Sequence, residues 1–335
     1  MNWLKDIFKT PTKKKIEDSS PNEVLHKMKL GLALSGGGTR GTAYIGVFKA
    51  FEEAGLHFDY VAGTSAGSLL GAAYCAGVSI DKMADIARNV KAKDVLTSKI
   101  SFMPSKTEGL ERLIDEALDG KTFEDLNTPF CAVAVDIISG NEVHLTSGKL
   151  STAVAGSCAF PGAFNPVERP PYRLMDGGLQ NNIPADVVRD MGADIVLAVD
   201  LNPTRGYGTD STKYLEVIKA ALRILMKSNS VKGYVHCDYM LKLDLTEFSQ
   251  MKMEGVEEMI EIGYNMTKAE MPNILKVLGM RVPDENIKET ARRLKMMQKR
   301  SKQIAREKKN KREETNVLGQ VQRGEEESEG SCGES

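Results

Sequence analysis

Three short segments hold residue types at spacings that suit nucleophilic chemistry. The first is Gly63-Thr64-Ser65-Ala66-Gly67, which fits G-x-S-x-G. It follows an apolar stretch that reads as a strand and precedes one that reads as a helix, the context a nucleophile elbow requires. A tight turn there exposes the serine at its tip and leaves little room for side chains, so Gly63 and Gly67 flank it. The helix that follows aims its first amides and its positive end at the site. The second segment is Gly36-Gly37-Gly38-Thr39-Arg40-Gly41, again between strand and helix. Consecutive glycines let backbone N–H groups converge on a developing oxyanion. Arg40 either buttresses that loop, faces an anionic head group, or forms a surface ion pair. The third is Met175-Asp176-Gly177-Gly178, a carboxylate at a strand end with glycines behind it. Asp-Gly is a common turn, but beside an exposed serine Asp176 supplies the missing general base.

The Gly36–Gly41 segment also fits G-x-G-x-x-G, the dinucleotide-binding fingerprint. That reading wants an acid at the end of the second strand to hold the ribose. Asp59 is at about the right distance but near the start of that strand, and the serine turn occupies its end. The four histidines are His26, His57, His144 and His236. His236 follows Ser65 and Asp176, so a Ser-Asp-His order is permitted. It lies between Val235 and Cys237 without a glycine-rich loop to present it, and is read as structural. No histidine pair has metal-ligand spacing, so neither a metal nor a cofactor is expected.

These segments need a scaffold, and residues 29–280 provide strand and helix signals in alternation. Leu30–Leu34, Phe58–Ala62, Phe130–Asp136, Tyr172–Met175 and Ile195–Asp200 read as strands, and Asp238–Leu245 alternates as a strand should. Ile137–Leu145, broken by Ser139-Gly140-Asn141, reads as a hairpin return. Helices are expected from about Thr42 to Ala54, from Ser65, and over Asp81–Val90, Glu108–Leu118, 150–157, Ala185–Met191, Lys213–Ser228 and Val256–Leu278, the last interrupted at Pro272. Alternation of this kind implies α/β class: a mostly parallel central sheet covered on both faces, three layers α/β/α. Tyr60–Ile80 carries no charge over 21 residues, long enough to cross a bilayer. Its four glycines and its Thr64, Ser65 and Ser68 favour a buried strand end and helix.

The 335 residues carry 45 Lys or Arg against 46 Asp or Glu, so no global charge points to nucleic acid. The charge is uneven, however. Between Arg292 and Arg312 eleven Lys or Arg face one acid, and from Glu313 to Ser335 seven acids face one Arg. Residues 281–335 therefore read as a basic helix and a disordered acidic tail. Residues 1–28 are polar, with Trp3, Leu4, Ile7 and Phe8 on one helical face and Lys13, Lys14 and Lys15 behind them. Two readings stand for this segment: a helix on the protein's own surface, or an amphipathic anchor. Peripheral contact with an anionic membrane through 1–15 and 292–312 is the functional reading of both ends. No aromatic residue interleaves with the basic run, so nucleic acid is not expected there. Five cysteines without a C-x-x-C imply reduced thiols and a cytoplasmic location, with the inner membrane face as the place of peripheral contact. Six methionines between Met251 and Met280 read first as adaptable packing, and second as a flexible apolar wall.

Taken together, the segments resemble the patatin-like phospholipase family, the bacterial-type members in particular. Gly36–Gly41 is similar to the family's G-G-G-x-R/K-G loop, and Gly63–Gly67 to its G-x-S-x-G. Ser157-Cys158-Ala159-Phe160-Pro161-Gly162 is similar to its S-x-A-x-P-G. Asp176-Gly177-Gly178 with Asn181, Asn182 and Pro184 is similar to its D-G-G and trailing N-N-x-P. The likeness covers roughly residues 29–202. It implies a Ser–Asp dyad, with Ser65 the nucleophile and Asp176 its base. It assigns the oxyanion amides to Gly37 and Gly38, with Thr39 as a further candidate. It implies acyl-ester hydrolysis of phospholipids or lysophospholipids, without a cofactor. Two rival readings remain open at this stage: a non-catalytic membrane-surface or regulatory module on the same fold, and a dinucleotide-binding protein.

Overall fold

A computed structural model describes residues 28–90, 105–203 and 211–280. Among these residues the strands are β1 (Leu30–Leu34), β2 (Tyr60–Thr64), β3 (Phe130–Asp136), β4 (Glu142–Leu145), β5 (Val167–Arg169), β6 (Tyr172–Asp176), β7 (Ile195–Asp200) and β8 (Tyr239–Lys242). β1 and β3 are buried at every residue, because helices cover both faces of the sheet. That is why they read as unbroken apolar runs rather than alternating ones. β3, β2, β1, β7 and β8 form a parallel core in that order. β4 and β6 pair with β3 antiparallel, and β5 pairs with β6.

The helices are α1 (Ala43–Glu53), α2 (Ala66–Cys75), α3 (Ile80–Asn89), α4 (Glu108–Ala117), α5 (Leu150–Ser157), α6 (Ala185–Asp190), α7 (Tyr214–Asn229), α8 (Val231–His236) and α9 (Val256–Val277). α6 covers one face of the sheet. Its Val187 and Val188 join Ala33, Ala62, Cys131, Val133 and Val196 in one buried cluster. α2 covers the other face, with Gly71 closing on Leu34, Val61 and Phe130. α1 joins α2 there through Phe48 and Tyr74, whose rings lie 4.8 Å apart. α9 lies against α1 at backbone distance. A Cβ on Gly46 would stand 2.0 Å from the Ile260 carbonyl, and one on Gly263 would stand 2.0 Å from that of Ala43. The three-layer α/β/α arrangement is thus present.

Two expectations are corrected. α9 runs through Pro272 without a break. The proline removes one intrahelical bond, but Met259, Gly263, Thr267, Ala269, Met271, Ile274 and Leu275 bury along the helix and hold it on α1. The second strand begins at Tyr60 rather than Phe58 and extends through Thr64, so the serine turn starts directly from a sheet hydrogen-bonding register. The charge-free stretch Tyr60–Ile80 is a strand, a turn and a buried helix. Among the described residues no helix is long and apolar enough to cross a membrane. The expected amphipathic segment 1–15, the basic stretch 292–312 and the acidic tail lie outside the described residues.

One feature of the sheet sets up the site. β2 pairs with β3 from Phe130 to Val133, and β6 takes up the same edge of β3 at Ala134. β4 occupies the other edge. β2 and β6 run in opposite directions, so their C-terminal ends meet along β3. Thr64 lies opposite Val133 and Asp176 opposite Ala134. Ser65 and Asp176 are the residues at those two ends.

Candidate active site

Ser65 stands between β2 and α2 with φ 52° and ψ −122°. A positive φ is strained for a residue with a Cβ, and such strain costs on the order of 1–3 kcal/mol and persists only where surroundings enforce it. Here they do. The Ser65 amide donates to Ser157 Oγ at 2.9 Å, and that hydroxyl donates to the Val133 carbonyl. Ser68 Oγ donates back to the Ser65 carbonyl at 2.7 Å. Thr64 Oγ1 donates to the Asn181 carbonyl at 2.8 Å. The flanking glycines are required by close approach. A Cβ on Gly63 would lie 2.3 Å from the Gly67 carbonyl, and one on Gly67 would lie 2.2 Å from that of Leu34.

Asp176 is 1% exposed and caps the short 3-10 turn Gly177–Leu179, its Oδ1 accepting from the Gly178 amide at 2.8 Å. Gly177 passes so close to β3 that a Cβ would sit 2.2 Å from the Val133 carbonyl. Burial pushes the Asp176 pKa up to about 6, while hydrogen bonds from the Ser65 hydroxyl and the Gly178 amide pull it back down. A carboxylate so placed is ionised at neutral pH yet a far stronger base than one in water. Cys158 also neighbours Ser65 and Ser68, and burial pushes its thiol up to about 12. It is therefore a neutral neighbour, not a second nucleophile.

The glycine loop is held from several sides. Ser35 Oγ accepts the Leu201 amide at 3.1 Å, and Tyr44 donates to the Ser35 carbonyl at 2.7 Å. Gly38 has φ 59°, and a Cβ there would stand 2.1 Å from the Gln250 carbonyl. The six residues singled out in the sequence divide in two. The Gly36 amide already donates to the Asn182 carbonyl and the Thr39 amide to that of Gln250, so neither is aimed at a substrate oxygen. Gly41 packs against Ala66. Arg40 binds the Phe248 carbonyl through Nε and Nη2 and Asn202 Oδ1 through Nη1. Arg40 thereby ties the loop to Phe248 and Asn202. The amides of Gly37 and Gly38 make no hydrogen bond to another described residue. Asn202 and Gln250, linked at 2.8 Å, complete the brace. No motif in the sequence pointed to them.

A cavity of about 360 Å³ opens at these residues. Ser65, Asp176, Gly37 and Gly38 form part of its wall. Most of the rest is apolar, from Leu69, Leu70 and Ala73 on α2, Met83 and Ile86 on α3, and Leu110, Leu113 and Ile114 on α4, with Phe160, Phe164, Met251 and Met253, while Asn182, Asn202, Arg223, Lys227 and Gln250 add polar groups. The methionines thus divide between their two readings. Met251 and Met253 line the cavity, and Met259 and Met271 are core. Asp59 accepts the Leu30 amide at 2.7 Å, a sheet contact rather than a ribose site. His57 and His236 are exposed, and His144 pairs with Glu142 at 2.8 Å.

The fold and elbow define a three-layer α/β protein with a serine at a strained strand–helix turn. Residues 32–189 match the family model described as patatin-like phospholipase, and the chain carries a patatin-like phospholipase domain there. An uncharacterized NTE family protein of Mycobacterium tuberculosis is 34% identical over 186 residues, 53% of this chain and 32% of that protein. Patatin-like phospholipase domain-containing protein 7 of Rattus norvegicus is 35% identical over 219 residues, 62% of this chain and 16% of that one. The chain thus spans a third or less of the length of these relatives. VipD from Legionella pneumophila aligns over 75% of this chain and 67% of its own at 14% identity and a TM-score of 0.49.

Proposed function

We propose that the protein is a serine acyl-ester hydrolase acting on phospholipids or lysophospholipids through a Ser65–Asp176 dyad. One observation carries the reading: a strained, half-buried Ser65 and the buried carboxylate of Asp176, brought together at two strand ends on β3, share the wall of a largely apolar cavity. Ser65 Oγ attacks the ester carbonyl and passes its proton to Asp176. The tetrahedral oxyanion takes the unoccupied amides of Gly37 and Gly38, with the Gly38–Thr42 turn behind them. Collapse expels the alcohol, which leaves with the proton from Asp176, and the acyl group stays on Ser65. Water then adds to the acyl-enzyme, Asp176 takes its proton, and the acid departs as Ser65 recovers the proton. The α2–α4 cavity suits an aliphatic chain, since it offers apolar contact with few polar groups to leave unpaired.

Labelling with a fluorophosphonate probe tests this, followed by peptide mapping. We expect the label on Ser65, lost in Ser65→Ala. A folded protein that takes no label would overturn the reading and favour the non-catalytic module. Dinucleotide binding is disfavoured, because Asp59 is engaged in the sheet and Asn182 and Gln250 occupy amides of the glycine loop.

A further inference from the structure

α7 is an amphipathic helix turned inside out. Its outward positions are Tyr214, Val217, Ile218, Ala221, Ile224 and Leu225, spaced three and four apart as one helical stripe. Ile224 is 53% exposed and Leu225 61%, and Val231 and Val235 of α8 extend the apolar surface at 61% and 71%. An isolated exposed leucine carries no information, but a contiguous stripe of this kind marks a contact surface. The helix cannot roll over to bury it, because its inner side is already committed. Lys227 Nζ donates to the Asn202 carbonyl at 2.8 Å and Asn229 to that of Leu179 at 2.6 Å. Met226 closes on Gly178, next to Asp176. Gly233 of α8 is pressed on Ile183, and Lys232 is paired with Glu142.

We propose that the α7–α8 stripe docks on an anionic lipid surface and holds the Ser65 cavity beside it. Two observations select lipid over a second copy of the chain. The first is continuity. Arg223, Met226 and Lys227 of α7 line the cavity, as does Met251, which is itself half exposed and so lies at the rim. The stripe lies on the far side of the same helix, so a surface that holds α7 holds one wall of the cavity beside it. The second is charge. Lys219 and Arg223 belong to α7, with Lys213 at its N-cap, against its single acid Glu216, while Lys227 and Lys232 are engaged with Asn202 and Glu142. Two copies meeting here would oppose like charges, whereas a basic, apolar helix lying in the interface of an anionic bilayer is favoured on both counts. The choice of lipid rests on the acyl-ester reading, but the docking itself does not require hydrolysis.

The test is sedimentation of the full chain with vesicles of phosphatidylglycerol and phosphatidylcholine, in a Ser65→Ala background that leaves the lipid intact. The double substitution Ile224→Ser, Leu225→Ser should lower partitioning about tenfold or more, about 1.4 kcal/mol. Ile138→Ser, on the exposed β3–β4 turn, should leave it unchanged. In a Trp3→Phe background, Val217→Trp makes the stripe carry the sole tryptophan, and its emission should shift to the blue on adding vesicles. With Ser65 restored, the double variant should keep its rate on a soluble short-chain ester and lose rate on vesicles. Equal sedimentation of the double variant and its parent would overturn the proposal. So would a double variant that dissociates a dimer in analytical ultracentrifugation while binding vesicles unchanged, which would make the stripe a self-association face. If no ester is cleaved yet the stripe variants still lose vesicles, docking stands and only the hydrolase reading falls.

Discussion

Asp176→Asn separates the two consequences of burying this carboxylate. The asparagine keeps an oxygen to accept the Gly178 amide and loses only the charge. Asp176 is 1% exposed, and burial is the main cause that pushes its pKa up to about 6. An acid whose folded pKa lies above its unfolded value holds its proton more tightly in the fold. Below the ordinary carboxylate value of about 3.9 both states are protonated and nothing is lost. As pH rises from there through about 6, folding stability falls, and the full cost is present above that window. Moving from about 3.9 to about 6 corresponds to roughly 3 kcal/mol. The asparagine variant does not bear this cost. We expect it to be more stable than the parent at pH 8 by up to about 3 kcal/mol, and the gap to close as pH approaches 4. Urea unfolding across pH 4–8 reads this directly, and Tm should rise by roughly 2–4 °C per kcal/mol. Ester hydrolysis should fall about 10²–10⁴-fold in the same variant, the usual worth of a general base. An inactive variant with no gain at pH 8, or with a gain independent of pH, would refute the reasoning. The charge would then not be desolvated, and burial could not be what makes Asp176 basic.

Three further outcomes follow from the same geometry. The base must be ionised to take the Ser65 proton, so kcat/KM should rise with pH through about 6 and then level; a profile flat between pH 5 and 8 would exclude Asp176 as that base. Ser157→Ala removes the acceptor of the Ser65 amide and the donor to Val133. We expect a loss of about 1–3 kcal/mol in stability, with kcat falling and KM little changed, measured by urea titration and steady-state kinetics. Leu113→Trp fills part of the cavity between α2 and α4. It should spare hydrolysis of short acyl esters and reduce that of long ones about tenfold or more; equal losses on both would place the acyl chain elsewhere.

The parts of this protein that could be read from its sequence are those where one local rule decides the residue. The elbow is the clearest case. Gly63 and Gly67 stand there because a Cβ at either would strike a backbone carbonyl, so the pentapeptide records the geometry directly. The fully buried strands were legible for a similar reason, because helices on both sides demand apolar residues at every position. Other parts depend on partners distant in the chain. Nothing local marks Asn202 or Gln250: Asn202 meets Arg40 across 162 residues, and Gln250 donates to Asn202 and accepts the Thr39 amide. Nor does the glycine run reveal that Gly36 and Thr39 spend their amides on Asn182 and Gln250. Three consecutive glycines announce convergent N–H groups, but only the fold decides which of them stay unoccupied. Pro272 shows the converse, a strong local rule overruled by the seven residues that bury along α9. α7 is the instructive middle case. Its three–four periodicity is plain in the sequence and identifies a helix, yet periodicity does not say which side faces inward. The usual assumption that the apolar side does so fails here, because Lys227, Asn229 and Met226 find better partners beneath the helix than its aliphatic side chains do. A helix that turns polar groups to the protein and an apolar stripe outward calls for a second apolar phase, and the proposed lipid surface would supply it.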